Sequence, residues 1–508
     1  MSKLIELVNS SFEQNHYDKT NIDNYPYVAF SNTDNELLYT HIPNYFYIES
    51  LENDNTINLS VDNTWFGKNA SKLQYSLNKR KWFALPESYT LNRRDKMYFR
   101  CVDGNIEKSS NEDIALLKPS KIFNIGGDIS TVVYGEENVQ SINNEYAMYG
   151  FFDSTNVVDA SKLLLPATTL TPYCYFGMFY NCSSLTTALK ILPAINLSDY
   201  CYYCMFQDCT SLITTPELPA TTLTNNCYEN MFYKCTSLTI APELPATTLA
   251  PYCYRYMFRE CVSLTTAPEI LPAITLTERC YENMFFKCSL LTIAPELPAT
   301  TLAPYCYRYM FRECASLTTA PEILPAMTLT ERCYERMFSR CASLTTIPEL
   351  PATTLAPYCY NSMFEFCNSL TTSPEILPAT TLTLSCYNGM FSGCDSLTTA
   401  PELPATTLIT SCYDKMFYNC SSLTTAPELP ATTLVDSCYN MMFYNCINLN
   451  YIKCLATDVS ATNCTNSWVY NISPTGTFIK HLYAKEWEGG INGIPNGWEV
   501  TEVKDEDL

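Results

Sequence analysis

The chain has 508 residues, 47% of them hydrophobic and 16% charged, so it can bury a large core and is not disordered by composition. Its 52 Asp plus Glu against 31 Lys plus Arg give a net charge of −21, which argues against a general nucleic-acid binder, because such a protein needs a basic face to displace counterions. The first residues lack a long apolar stretch with a cleavage site, and no run of 18 apolar residues occurs, so neither a signal peptide nor membrane insertion is expected.

Residues 1–24 are polar and unpatterned, and are expected to form a flexible or partner-anchoring start. Residues 25–105 read as an antiparallel β-domain. Tyr45 and Tyr47 alternate with Phe46 and Ile48, and Leu73, Tyr75 and Leu77 alternate with polar residues. Asn78-Lys79-Arg80-Lys81 then makes a turn, and Asp103-Gly104-Asn105 another. Lys79, Arg80, Lys81, Arg93 and Arg94 form a basic cluster, read as solvated turns. Residues 106–145 form a connector and N-terminal cap, in which Phe123-Asn-Ile-Gly-Gly-Asp-Ile-Ser suggests a strand and turn covering an open end.

From 146 to 450 the chain repeats. The unit is Cys-Tyr-x-x-Met-Phe-x-x-Cys-x-x-Leu-Thr, followed by a connection like Pro-Glu-Leu-Pro-Ala-Thr-Thr-Leu. First cysteines stand at 174, 201, 227, 253, 280, 306, 333, 359, 386, 412 and 438. The steps are 26 or 27 residues, the longer carrying one extra residue, as in Glu269-Ile270-Leu271-Pro272 against Glu243-Leu244-Pro245. Such a period predicts a solenoid with atypical terminal coils. The first coil is degenerate, with Phe151-Phe152 at the Met-Phe position. Residues 451–508 should form the C-terminal cap, with Trp468-Val469 at the same offset from Cys464.

A step of about 100° per residue places Cys253, Tyr254, Met257, Phe258 and Cys261 within one arc of roughly 140°, which predicts a short helix with one packed face. Each coil then adds a short strand at Leu264-Thr-Thr, stopped by Pro268. The fold class expected is α+β: a small N-terminal β-domain and a capped solenoid.

Chemistry is scarce. None of the three histidines, His16, His41 and His481, lies in the repeat array, which removes the usual general base and most zinc sites. Cys201 and Cys204 form the only Cys-x-x-Cys, without a second pair. No enzyme activity, metal or cofactor is expected. The paired cysteines read as small buried hydrophobes, and the tyrosines after the first Cys as packing rather than a sugar-stacking ladder. Nine connections carry Glu, at 217, 243, 269, 296, 322, 349, 375, 402 and 428, a ladder that is either solvated or met by a cation or basic partner. The positions that vary between coils are the candidate binding surface: Arg255, Tyr256, Arg259, Glu260, Arg308, Tyr309, Arg312, Glu313, Arg332, Arg336 and Arg340, with the arginines read as a basic patch.

Met-Phe-x-x-Cys-x-x-Leu resembles the BspA-like leucine-rich repeat over residues 145–500. The Leu-Pro-Ala-Thr-Thr-Leu connection looks like the variant of gut Bacteroides and their crAss-like phages. The resemblance implies adhesion or protein binding, with no catalytic residues. The function expected is a phage virion component, a fibre or receptor-binding protein, with a bacterial surface adhesin as the alternative. The partners would be other virion proteins or a host-surface protein or glycan, with self-association left open.

Overall fold

The computed structural model describes residues 27–31, 37–59, 69–102, 117–484 and 487–504, with the backbone alone for 27–31 and 37–41. The expected N-terminal tail and the turn at Asp103-Gly104-Asn105 lie outside the described residues.

The N-terminal region is built of strands. β1 (Tyr27–Ser31) pairs with β2 (Leu37–His41), and β4 (Asn55–Asn58) with β7 (Ser88–Leu91). The main sheet has the order β10-β9-β3-β8-β5-β6. Its strands are β3 (Tyr47–Ser50), β5 (Leu73–Ser76), β6 (Phe83–Ala84), β8 (Lys96–Cys101), β9 (Phe123–Asp128) and β10 (Val157–Leu164). β9 runs antiparallel to β3 and parallel to β10, so one sheet carries the chain into the first coil. The close pass requires glycine at two successive residues. A Cβ on Gly126 would meet the Tyr47 hydroxyl at 2.5 Å, and one on Gly127, at φ +80°, would meet the Tyr45 carbonyl at 2.1 Å. Phe46 then closes the exposed end of the stack against Phe151 and Phe152, at 6.2 and 6.0 Å.

Each later coil stacks on its neighbour. The inward residues repeat as ladders: Tyr254 lies 5.7 Å from Tyr281, and Phe258 5.4 Å from Phe285, with rings within 8° of parallel. Cys253, Tyr254, Met257, Phe258, Cys261 and Leu264 are all buried.

The expected helix does not form. Tyr252–Cys261 is a ribbon of turns, and the only helix among the described residues is α1 (Ser130–Val133), so the helical half of the expected α+β class is absent. The reason lies in the hydrogen bonds. The N–H groups of Cys253, Arg255, Met257 and Arg259 close local turns onto the carbonyl three residues back, whereas those of Tyr254, Tyr256, Phe258 and Glu260 donate to the next coil. Tyr252, Tyr256 and Glu260 have φ near +60°, one left-handed residue in every four, and each sends its N–H along the stack. A repeat of four residues buries the pairs 253–254 and 257–258 and leaves 255–256 and 259–260 half-buried on the outer side. Over nine residues that is nearly the face a 3.6-residue helix would bury.

The second cysteine of the unit does more than fill space. Cys261 Sγ donates to the Phe232 carbonyl at 3.0 Å, and the same bond recurs from Cys182 to Cys446. All 26 cysteines are free and buried.

At the far end β11 (Tyr451–Cys454), β12 (Thr477–His481) and β13 (Glu499–Val503) form a parallel sheet. Trp468 takes the place of Met in the core, donates from Nε1 to the Gly493 carbonyl at 2.9 Å, and stacks on Trp487 at 5.4 Å.

Candidate functional site

The turn ribbon puts two pairs of side chains outward in every coil, so equivalent residues of successive coils stand side by side. Like charges cannot occupy adjacent places cheaply at such spacing, and the middle coils avoid this by alternation. One column reads Glu229, Arg255, Glu282, Arg308, Glu335. Its three glutamates are at most 5% exposed, and each is ion-paired. Arg255 meets Glu229 at 2.8 Å, while Arg308 lies between Glu335 at 2.8 Å and Glu282 at 3.4 Å. Arg279 and Arg332 reach the same carboxylates from their own coils, at 3.2 Å each. Burial raises the Glu229 carboxyl above its ordinary range, and the Asn226 amide and the Arg255 guanidinium oppose this.

The arginines therefore do not form the one-sign patch read from the sequence. Arg259 stacks over Phe286 at 4.9 Å and sits 3.4 Å from Glu260, while Arg312 sits 3.3 Å from Glu313. Tyr256 and Tyr309 receive Arg255 and Arg308 on their faces at 4.7 and 4.4 Å. Arg332 lies over Tyr358 at 4.2 Å, Arg340 over Phe366 at 4.8 Å, and Arg336 is 4.0 Å from Glu365. All eleven candidate residues lie on the ribbon, in a region that is mixed in charge. Sequence reasoning missed Glu229, Arg279, Glu282 and Glu335. Their signal was available: Glu and Arg exchange places from coil to coil, so the true charge period is two coils, 53 residues from Arg255 to Arg308.

Two other sectors flank this one. In the first coils, Tyr146, Tyr173 and Tyr200 stack at 4.8 and 4.9 Å beside a second column of Tyr149, Phe176 and Tyr203, at 4.7 Å for both steps. Their faces cover one another, so the surface shows ring edges and hydroxyls. That geometry suits a protein contact better than stacking on a sugar face. In the last coils Tyr418, Tyr444 and Tyr470 stack at 4.9 and 4.6 Å next to an amide ladder, in which Asn445 and Asn471 each donate to the asparagine before at 2.9 and 3.0 Å.

The inner tyrosines, Tyr175 through Tyr439, are at most 2% exposed and are packing residues. The nine connection glutamates are all exposed. Among the described residues no group of three or more His, Cys, Asp or Glu is placed to hold a metal, and no helix is long and apolar enough to cross a membrane.

The model of the BspA type leucine-rich repeat region matches residues 155–292, 229–371, 278–399 and 359–473. Among solved structures, a leucine-rich repeat protein from Bacteroides ovatus is 17% identical with a TM-score of 0.43, covering 79% of this chain and 100% of that one. A leucine-rich cell-surface protein from Faecalibacterium prausnitzii is also 17% identical, with a TM-score of 0.33 and coverage of 66% and 90%. No curated relative matches the chain. With overlapping matches running from 155 to 473, the chain belongs to the BspA-type leucine-rich repeat family.

Proposed function

We propose that the chain is a non-enzymatic binding protein that displays its turn ribbon to protein partners outside the cell. The observation carrying this reading is the contrast within the ribbon. The inward residues are nearly invariant from coil to coil, while the outward ones sort into an edge-on aromatic sector, an alternating-charge sector and an amide-tyrosine sector. A stack that only needed stability would not require three chemistries on one face.

Two carriers would display it: a phage particle, as a fibre or receptor-binding component, or a bacterial surface, as an adhesin. Family membership is compatible with both. Mass spectrometry of purified particles, and of proteins released by protease from intact cells, separates them; absence from both fractions overturns the reading. Binding to surface-protein extracts should weaken at least tenfold on replacing Tyr149, Tyr173 and Tyr200 with Ala, or Arg259 and Arg312 with Ala. Unchanged binding in both variants removes the ribbon from the proposal.

A further inference from the structure

The connections on another side of the coil do not stack uniformly. Where a coil carries the extra residue, its connection pairs with the next: Ile270 bridges Glu296, Glu296 N–H donates to the Glu269 carbonyl at 2.9 Å, and Leu271 N–H donates to the Glu296 carbonyl at 3.1 Å. Ile323 with Glu349 and Ile376 with Glu402 repeat the arrangement. A connection without the extra residue must reach its inward leucine one residue sooner, and the residue deleted is the one that bridges. Between Pro216–Pro219 and Pro242–Pro245, and between Pro348–Pro351 and Pro374–Pro378, no backbone hydrogen bond then joins neighbouring coils; pairing resumes at the threonines, where Thr222 bridges Thr248 and Thr354 bridges Thr381.

Grooves open at both places. The first, of about 310 Å³, lies between Glu349 and Glu375 with Pro348, Pro351, Pro374 and Pro378 in its walls. The second, of about 420 Å³, lies between Glu217 and Glu243 with Pro216, Pro219, Pro242 and Pro245 in its walls. Each is an apolar slot with a carboxylate on either rim. The chain supplies a template for what such rims accept: Lys453 Nζ lies 2.8 Å from Glu428 Oε1 at the end of the row, and Lys190 stands in the glutamate position at its start.

We propose that these grooves dock an extended segment of a partner protein bearing lysine or arginine. The alkyl stems would lie on the proline walls and the charged heads between the rim glutamates. The lining sequence of the groove at Glu349/Glu375 recurs at Glu296/Glu322, 53 residues before it, and at Glu402/Glu428, 53 residues after it. Two coils rise on the order of 10 Å, close to the ~9 Å advance of three residues in a polyproline helix, so basic residues at every third position match the row. This surface is separate from the ribbon, and its test does not depend on the ribbon's role.

The probe is a (Lys-Pro-Pro)5 peptide, titrated calorimetrically into the full chain at about 0.15 M salt, a Debye length of ~8 Å. A peptide of the same composition with its five lysines consecutive is the control. The spaced peptide should bind at least tenfold more tightly. Inserting an isoleucine after Glu217 and after Glu349 keeps every glutamate but restores the paired connection, and should weaken binding at least tenfold. The quadruple variant E217Q/E243Q/E349Q/E375Q, which leaves the backbone alone, should do the same. Absence of binding to the wild type, equal binding of the two peptides, or full binding by either variant at unchanged melting temperature would overturn the proposal.

Discussion

Arg255 Nε donates to Glu229 Oε1 at 2.9 Å across one coil step, although the two residues are 26 apart in the chain. Glu229 is 2% exposed and its other oxygen accepts from the Asn226 amide, so the carboxylate depends on this guanidinium for its charge partner. Replacing Arg255 with Ala leaves a buried carboxylate unpaired and should cost about 2 kcal/mol, tempered by the partial exposure of the arginine. Glu229→Gln removes the charge and keeps hydrogen bonding to Asn226, so it should cost under ~1 kcal/mol. The double variant should be more stable than R255A alone. Urea denaturation of the four proteins closes the cycle; additive losses would mean that the pair is not coupled.

The left-handed residues of the ribbon give a second prediction. Met441 has φ +51° in a column where Gly150, Gly177 and Gly389 also stand. Met441→Gly or Met441→Asn should leave stability unchanged or raise it by a few tenths of a kcal/mol, whereas Met441→Val should lower it by about 1–2 kcal/mol, because a branched Cβ crowds the carbonyl in that conformation. Thermal melts of the three variants decide it. Equal tolerance of Val would mean that the turn relaxes to negative φ.

These two sites also show how far the sequence could be read. Cys253, Tyr254, Met257, Phe258 and Cys261 were legible as core because stacking forces the same shape on every coil, and the repeat displays that demand. The ribbon itself was not legible. A four-residue turn repeat and a 3.6-residue helix bury nearly the same residues over so short a span, and the left-handed positions are filled by Tyr252, Tyr256 and Glu260 rather than by glycine. The clues were the glycines at 177, 389 and 393 and the asparagines at 181, 226, 230, 283, 419 and 445, residue types that tolerate the left-handed region, each at a left-handed place in an otherwise standard coil. The alternation of charge is hidden for another reason: Arg255 and Arg308 repeat two coils apart, whereas the neighbours they touch, Glu229 and Glu282, lie in the coils before and between them.

The cysteine columns differ in a way that substitution can expose. Cys261 donates its S–H to the Phe232 carbonyl of the coil before, while the thiol of Cys253, in the first column, is met only by the backbone of its own coil at Ala250 and Tyr254. Serine preserves a donor and alanine does not, but burying an unpaired hydroxyl costs about 1–3 kcal/mol. At Cys261 serine should therefore be tolerated at least as well as alanine, and at Cys253 alanine should be the milder change. Denaturation midpoints of the four single variants test this. If alanine is milder at both positions, the S–H bond contributes nothing and both columns are simple packing.

The same burial predicts a sharp alkaline limit. Desolvation pushes the Cys174 and Cys446 thiols from an ordinary 9.0 up to about 12, and Cys386 to about 11. Tyr254 and Tyr307 are likewise raised well above 10.0. In the unfolded chain these groups ionise near their ordinary values, so above pH ~9 the folded state holds protons that the unfolded state has released. Stability therefore falls as pH rises through that window, and the loss continues until the folded thiols themselves ionise. With two cysteine columns and a tyrosine column repeated along the stack, many small losses add. The melting temperature should be nearly level from pH 7 to about 8.5 and then fall steeply towards pH 11, while the native thiols resist iodoacetamide at pH 8 and react only as the protein melts. A level profile to pH 11, or rapid alkylation of the native protein, would show that the columns are open to solvent.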